Sequence, residues 1–153
     1  ATLKRGYYPS LEPALEHNSR LLIKPLREAQ FPKFKRKTEY IRFDAHGELM
    51  NETHLDNCVR IVEANPDKKF ALWSKRISIV RKYFKNREIP VNLRLVYSNP
   101  AIDRVLDRPP APFHKTFNNV TGDTEQNCTG QKCIECMLCY TQNDVTTIVE
   151  KVK

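Results

Sequence analysis

Four of the chain's five cysteines lie within twelve residues near the carboxyl end. They are Cys128, Cys133, Cys136 and Cys139, which follow the spacing C-x4-C-x2-C-x2-C. Crowded thiolates repel one another, so this arrangement is unfavourable unless disulfides form or a metal centre compensates the charge. Two-residue gaps allow neighbouring sulfur atoms to turn toward one point. The spacing therefore predicts a site that holds a metal.

The spacing also bears on which metal is bound. Structural zinc is commonly held by two C-x2-C turns that a longer spacer separates, and this run has no such spacer. A C-x2-C-x2-C run with a fourth cysteine nearby is typical of iron–sulfur proteins. The run ends in Cys139–Tyr140 rather than in the cysteine–proline pair of bacterial ferredoxins. We predict a [4Fe-4S] cluster, with structural zinc and disulfide bonds as the alternatives.

Length and composition limit the class of protein. A chain of 153 residues is long enough for one domain with a hydrophobic core. No apolar run reaches the length of a membrane span and no signal peptide is visible, so we expect a cytoplasmic protein with reduced thiols and no membrane partner. The formal net charge of +8 is compatible with nucleic acid, an anionic ligand or a negatively charged thiolate cluster as the partner of the basic residues.

The hydrophobic pattern alternates between strands and helices. Three segments have helical periodicity: 10–23, 53–64 and 77–84. Five segments have the composition of strands: 39–44, 70–74, 92–98, 114–120 and 144–149. This order predicts an α/β fold with parallel strands and right-handed crossovers. We expect one compact domain, in which residues 1–120 form a β/α region and residues 121–153 form the cysteine loop and a closing strand.

Polar side chains follow three of the expected strands at the point where each strand ends. Ligands of parallel α/β sheets bind beyond the carboxyl ends of the strands, so these side chains are candidates for a binding site. The candidates are Asp44, His46, Gly47, Glu48, Lys75, Arg76 and Ser98. Together they offer carboxylates, an imidazole, cations and a hydroxyl, which is a set that favours a zwitterionic or phosphate-bearing ligand.

Other polar residues have simpler interpretations. Cys58 falls on the apolar stripe of the second helix, which predicts a buried structural thiol. His17 and His54 also lie in helices, and we expect both on the surface. The basic segment 33–37, flanked and interrupted by phenylalanines, could contact phosphates, or it could be a loop that packs two Phe side chains.

Several of these residues belong to short motifs that follow one another in a definite order along the chain. In order they are Arg42-Phe-Asp44-x-His46-Gly47-Glu48-Leu49, Phe70-Ala-Leu-Trp73-Ser74-Lys75-Arg76, Pro90-Val-Asn92-Leu93 with Ser98, and the cysteine run. This set resembles the phage and prophage proteins called gene product 88, from about Tyr7 to the end of the chain. The resemblance implies a partial (β/α) barrel related to radical S-adenosylmethionine proteins. It also implies that Gly47–Glu48 meets the amino group of the methionine moiety.

The resemblance further implies a cysteine motif just before the first helix, whereas the sequence given has no cysteine before Cys58. A radical enzyme needs a cluster with an open iron, and four cysteines saturate a cluster. We therefore expect a structural or electron-transfer cluster, in the latter case with a redox partner. The alternatives are a radical-type enzyme that binds S-adenosylmethionine and a zinc-stabilised module that binds nucleic acid. The chain has no recognisable nucleic-acid-binding motif, which disfavours the second alternative.

Overall fold

Five strands and four α-helices make up the fold in a computed structural model that describes residues 10–44 and 47–152. The helices are α1 (Leu11–Leu22), α2 (Glu52–Glu63), α3 (Ile77–Tyr83) and α4 (Cys133–Cys136). The strands are β1 (Tyr40–Phe43), β2 (Lys69–Ser74), β3 (Leu93–Ser98), β4 (Lys115–Val120) and β5 (Thr147–Lys151). A short 3-10 helix spans Glu28–Gln30.

The strands form one parallel sheet whose spatial order, β1-β2-β3-β4-β5, is the order of the chain. Arg42 of β1 lies opposite Ala71 of β2, which lies opposite Arg94 of β3. These register partners point to the same face of the sheet. The prediction of an α/β fold with parallel strands is confirmed. Within residues 10–44 and 47–152, β1 and β5 do not pair with each other, so the sheet is not closed into a barrel.

The main hydrophobic core lies on the sheet face that the helices cover. The strand side chains on this face include Phe70, Leu72 and Leu95, which are fully buried. Leu55 and Val62 of α2 pack against them because they fall on the apolar stripe of that helix. This core holds β2 and β3 at the centre of the sheet, and it forms without any residue of the cysteine loop.

A smaller cluster lies on the opposite face of the sheet. Ala71, Trp73 and Val96 are buried there, and Cys139 and Tyr140 of the cysteine loop pack against them. The cysteine loop therefore covers the face that α1, α2 and α3 leave open. Each sheet face is buried, which is the usual condition of a parallel sheet.

Two asparagines, the buried Asn57 and the half-buried Asn92, hold the helix ends in place. The Asn57 side chain accepts from the Leu26 N–H and donates to the carbonyls of Leu22 and Lys24. Asn92 donates in the same way to three carbonyls that follow or end α2. The last carbonyls of a helix have no partner within the helix, so these amides satisfy groups that burial would otherwise leave unpaired.

The structure differs from the predicted elements at a few boundaries. Ser10 precedes α1, but its side chain makes no capping hydrogen bond, whereas the Asn51 side chain caps α2 by accepting from the His54 N–H. β5 begins at Thr147 rather than at Asp144, because the Asn143 side chain holds the Val145 N–H in a turn. Neither α4 nor the 3-10 helix was predicted. No helix of the described residues is long and apolar enough to cross a membrane.

Candidate metal centre and the strand exits

The four clustered cysteines line one small cavity. Cys128, Cys133, Cys136 and Cys139 line a space of about 30 Å³, which is partly open and is also lined by other residues of the loop and by Ile148 of β5. Helix α4 is a single turn that begins at one cysteine and ends at another. Met137 follows in the left-handed conformation with φ 56°, and this reverses the chain toward Cys139. The loop thus directs all four thiols to a common space.

The four thiols are chemically free in the structure. All five cysteines are unpaired, so the disulfide alternative is not what the structure contains. Across residues 10–44 and 47–152, no three Cys, His, Asp or Glu side chains converge closely enough to hold a single metal ion. A tetrahedral zinc site would need its sulfur atoms about 3.8 Å apart, given zinc–sulfur bonds of about 2.3 Å. The four cysteines line one cavity, but the described residues contain no preformed site for a single ion.

The amino end of the loop is attached to the last strand. Asn127 donates to the Thr147 carbonyl at 2.8 Å and accepts from the Val149 N–H at 2.9 Å. The Cys128 N–H donates to the Val149 carbonyl, and Cys128 forms a parallel bridge with Glu150. The segment before the thiols therefore behaves as a short extension of the sheet beside β5.

The carboxyl end of the loop lies against a basic and aromatic part of the sheet. Tyr140 contacts Trp73 edge to face, with ring centroids 6.0 Å apart, and the Arg42 guanidinium stacks 3.9 Å from the centroid of the Trp73 ring. Burial, together with the charges of the other three thiols, raises the pKa of Cys139 to about 12. Arg42 opposes that rise. A metal or a cluster is therefore needed to keep Cys139 as a thiolate at neutral pH.

Lys115 is a buried cation beneath this loop. Only 2% of the residue is exposed, and its ammonium group donates to the Asn143 side chain and the Val145 carbonyl. Both of these partners are neutral. Burial lowers the pKa of Lys115, and the charge of Cys139 acts in the opposite direction. Lys115 of β4 therefore has no acidic hydrogen-bond partner among the described residues, and it lies close enough to Cys139 for the two charges to interact.

The loops that follow β1 and β2, at the carboxyl ends of these strands, are joined through Glu48. We call the residues just beyond the carboxyl end of a strand its exit. The Glu48 carboxylate accepts from the Ser74 hydroxyl at 2.6 Å, from the Lys75 N–H at 2.8 Å and from the Leu49 N–H at 2.8 Å. The Lys75 and Arg76 side chains are exposed, and it is their backbone amides that take part in these contacts. Glu48 is therefore a structural link between the loops that follow β1 and β2.

Asp44 is the second carboxylate at the first exit. It has a positive φ of 53°, its side chain is 9% exposed, and its Oδ2 atom is buried without a hydrogen-bond partner among the described residues. Burial, with a further contribution from the charge of Glu48, raises the pKa of Asp44 to about 7. The imidazole Nε2 of His54 lies 3.8 Å from the other carboxylate oxygen.

Only some of the predicted ligand-binding residues share a cavity. Asp44, Gly47 and Glu48 line a pocket of about 440 Å³ between α1, α2 and the edge of β1, and none of the later exit residues lines it. The third exit is organised separately, because Asn99 beyond Ser98 bonds to Asn118 and the Arg104 carbonyl. His46 was also predicted here and lies outside the described residues.

The structure corrects the predicted exposure of one histidine and confirms the predicted burial of one cysteine. His54 was expected on the surface, and that prediction is wrong: the residue is 4% exposed, with Nδ1 accepting from the Met50 N–H. It lies in the first turn of α2, and its ring turns back over the loop that carries Asp44. Cys58 is buried, as predicted. The cationic groups of the basic segment 33–37 are exposed, while Phe31 and Phe34 pack against the main core.

Sequence reasoning missed three contributors to these sites. Lys115 was treated as an ordinary strand residue, Trp73 as an element of the family pattern, and His54 as a surface residue. A signal was available for Lys115, since a lysine inside a strand that is buried on both faces needs a polar partner. No comparable signal in the sequence indicates that His54 turns inward.

Comparison with known proteins identifies a family for the β/α part of the chain. The sequence model of a family described as gene product 88 matches residues 3–120, which is more than half of the chain and stops before the cysteine loop. No curated protein matches the chain. No solved structure matches it either. The chain belongs to the gene product 88 family.

Proposed function

We propose that this chain is an iron–sulfur protein whose four clustered cysteines hold one [4Fe-4S] cluster, with a structural or electron-transfer role. The observation that carries the proposal is the cavity lined by Cys128, Cys133, Cys136 and Cys139. Thiolates are the usual ligands of such clusters. A bound cluster would supply a one-electron redox centre and a cross-link within the loop.

The spacing of the thiols supports a cluster over a single ion. Each cysteine of a four-iron cluster binds a different iron, so the sulfur atoms stand further apart than around one zinc ion. Structural zinc is commonly held by two C-x2-C turns that a longer spacer separates, and the run C-x4-C-x2-C-x2-C has no such spacer. The spacing of the cysteines along the chain therefore favours the cluster over zinc.

The charges around the loop also support an anionic centre. A cluster with four thiolate ligands carries net negative charge, and Arg42 and Lys115 lie on the sheet face that the loop covers. Lys115 has only neutral hydrogen-bond partners. A buried charge is costly unless an opposite charge compensates it, and the cluster would provide that charge.

We further propose that the open sheet is a partial (β/α) barrel related to radical S-adenosylmethionine proteins. Five parallel strands in chain order, with three helices on one face, support this relation. Four cysteine ligands leave no open iron, so the proposal assigns the cluster to electron transfer or scaffolding rather than to radical chemistry.

Metal and sulfide analysis of anaerobically purified protein tests the main proposal. We expect iron and acid-labile sulfide in nearly equal amounts, brown colour that bleaches on reduction, and an electron paramagnetic resonance signal from the reduced protein. Cys133→Ser and Cys136→Ser should lose iron, while Cys58→Ser, which lies outside the loop, should retain it. A colourless protein with one zinc ion, or one with no metal, contradicts the proposal.

Binding of S-adenosylmethionine is a separate expectation that rests on the family resemblance. Asp44, Gly47 and Glu48 share a pocket, which is the contact set that supports it. Isothermal titration calorimetry of the iron-loaded protein with S-adenosylmethionine tests it, with Glu48→Gln as the comparison. No heat of binding, or equal binding by wild type and Glu48→Gln, contradicts the role of Glu48.

A further inference from the structure

The pocket of about 440 Å³ beside β1 is mostly apolar, and we call it the Asp44 pocket. Its wall on the α1 side includes Leu15, Leu21 and Leu22. None of the residues of α1 is fully buried, so the apolar face of this helix is only partly covered by the protein. Met50 and Ile61 contribute to the opposite wall. The pocket therefore has room and apolar surface for a small organic molecule.

One polar atom in the Asp44 pocket lacks a partner. The Oδ2 atom of Asp44 is buried and has no hydrogen-bond donor within residues 10–44 and 47–152. An unpaired buried carboxylate oxygen is costly, and a donor on a ligand would remove that cost. Glu48, the other carboxylate of the pocket, already accepts three hydrogen bonds from the protein. Asp44 is thus the acid with free capacity to bind a ligand.

The ionisable groups around Asp44 favour a positively charged ligand. Glu48 adds a second negative charge, and the His54 imidazole is kept neutral because burial lowers its pKa. Arg42 also lines the pocket, but its guanidinium is stacked on Trp73, on the other face of the sheet. Cys58 of α2 is buried, and burial raises the pKa of its thiol, so it stays uncharged. The side chains that α1 contributes to the pocket are not ionisable.

We propose that the Asp44 pocket binds a small organic cation, whose ammonium group pairs with Asp44 and whose apolar body lies against the leucines of α1. This site is separate from the cysteine loop and does not depend on the proposed cluster. It is the pocket that supports the expectation of S-adenosylmethionine binding, but the proposal rests on the unpaired oxygen of Asp44, and its test uses neither that ligand nor Glu48. Binding requires Asp44 in its charged form, so the cation binds more tightly as Asp44 loses its proton.

The two methionines of the chain allow a direct test. Met50 lines the Asp44 pocket and Met137 lies in the cysteine loop, so methyl labelling with ¹³C gives one signal at each place. The probe is 2-phenylethylamine, and the matched neutral probe is 2-phenylethanol. At pH 8 the amine should shift the Met50 signal in a saturable way and leave the Met137 signal unchanged. The alcohol should bind at least about tenfold more weakly, because it lacks the charge.

The pH dependence and one variant complete the test. Amine affinity should fall at least about tenfold between pH 8 and pH 5.5, as Asp44 becomes protonated. Asp44→Asn should lose the preference for the amine, while Asp123→Asn, a change at a fully exposed carboxylate, should keep it. Equal binding of the amine and the alcohol by wild type, or a pH-independent affinity, overturns the proposal. The wild-type pH series decides the question even if Asp44→Asn does not fold.

Discussion

Asp44 combines a positive φ, burial and an unpaired carboxylate oxygen. Burial of the carboxylate costs folding free energy because a buried charge loses its hydration, while the left-handed conformation adds a smaller cost because aspartate tolerates it better than most residues. Residues that keep such costs tend to lie at functional sites. The next candidate, Gly47, differs: a Cβ atom there would meet the Asp44 carboxylate at an ordinary 3.6 Å, so packing does not require glycine.

The raised pKa of Asp44 predicts a pH-dependent stability. The folded state binds the Asp44 proton up to about pH 7, whereas the unfolded chain releases it near pH 3.8. Stability is therefore greatest with Asp44 protonated and falls as the pH rises through this window, by an amount on the order of 4 kcal/mol. Urea unfolding should find Asp44→Asn similar to wild type near pH 4 and more stable at pH 8.

His54 changes the stability with pH in the opposite direction to Asp44. For this reason the test compares wild type with Asp44→Asn rather than following wild type alone. The pKa of His54 is lowered by burial, so its contribution to stability is lost as the pH falls below about 6.5. Both proteins contain His54, so its contribution largely cancels when the free energy of unfolding of wild type is subtracted from that of Asp44→Asn. Asp123→Asn serves as the control and should show no such pH dependence. If Asp44→Asn were equally stable relative to wild type at both pH values, Asp44 would have an ordinary pKa.

Burial should rank the thiols of reduced, metal-free protein by reactivity. Cys133 is exposed, whereas Cys58 and Cys139 both have a pKa raised chiefly by burial, in Cys139 to about 12. The thiolate is the reactive form, so Cys133 should be alkylated first and Cys58 last at pH 7.5. Peptide mass spectrometry after timed exposure to iodoacetamide measures this order. Labelling of Cys58 as fast as Cys133 would show that the core opens readily.

At the scale of elements, the cysteine loop has two kinds of attachment. Its start extends the sheet through the bonds of Asn127 and Cys128 to β5. Its end rests on Trp73 through Tyr140, and Asn143 and Val145 accept from the buried Lys115. The four thiols lie between these attachments, so the sheet itself sets how closely they can approach one another.

Asn127→Ala should loosen the first attachment. The variant loses two hydrogen bonds to β5, which should lower the free energy of unfolding by about 1–2 kcal/mol and weaken retention of iron. Gln126→Ala is the matched control, because the Gln126 side chain makes no hydrogen bond to the described part of the chain. Chemical denaturation and iron content are the measurements. Equal behaviour of the two variants would mean that Asn127 does not hold the loop.

The sequence predicts a helix or a strand well where the burial of its residues follows the hydrophobic period of that element. The strands and helices of the β/α region were predicted to within a few residues, because residues such as Leu55, Phe70 and Leu95 are buried in step with the helix or strand period. Asn57 and Lys115 break that rule, since they are polar residues buried by partners distant in the chain. The Asp44 pocket could not be predicted from local spacing, because α1 and α2 form it jointly.

In the whole molecule, the two faces of the sheet have different roles. The main core joins the sheet to the helices and contains no residue of the cysteine loop, and the cysteine loop covers the other face through a much smaller cluster. Stability in such a molecule is unevenly distributed, and the part with fewer buried apolar contacts opens first. The protein should therefore lose its loop structure without losing its sheet.

Hydrogen exchange can test this separation. On removal of iron and sulfide, backbone amides of residues 126–146 should exchange faster, while those of β2 and β3 should stay protected. The reason is that Phe70, Leu72 and Leu95 keep their packing partners in the main core. Mass spectrometry of protein with and without iron measures the difference. Loss of protection throughout the sheet would show that the loop and the core unfold together.

The agreement between strand order and chain order has a consequence for synthesis on the ribosome. Each new strand can pair with the one made just before it, so no early segment has to wait for a distant partner. The wall of the cysteine cavity that Ile148 provides is translated only after all four thiols. A nascent chain therefore displays its four cysteines before it can complete the cavity around them, and any delivery of iron that needs the completed cavity must follow the synthesis of Ile148.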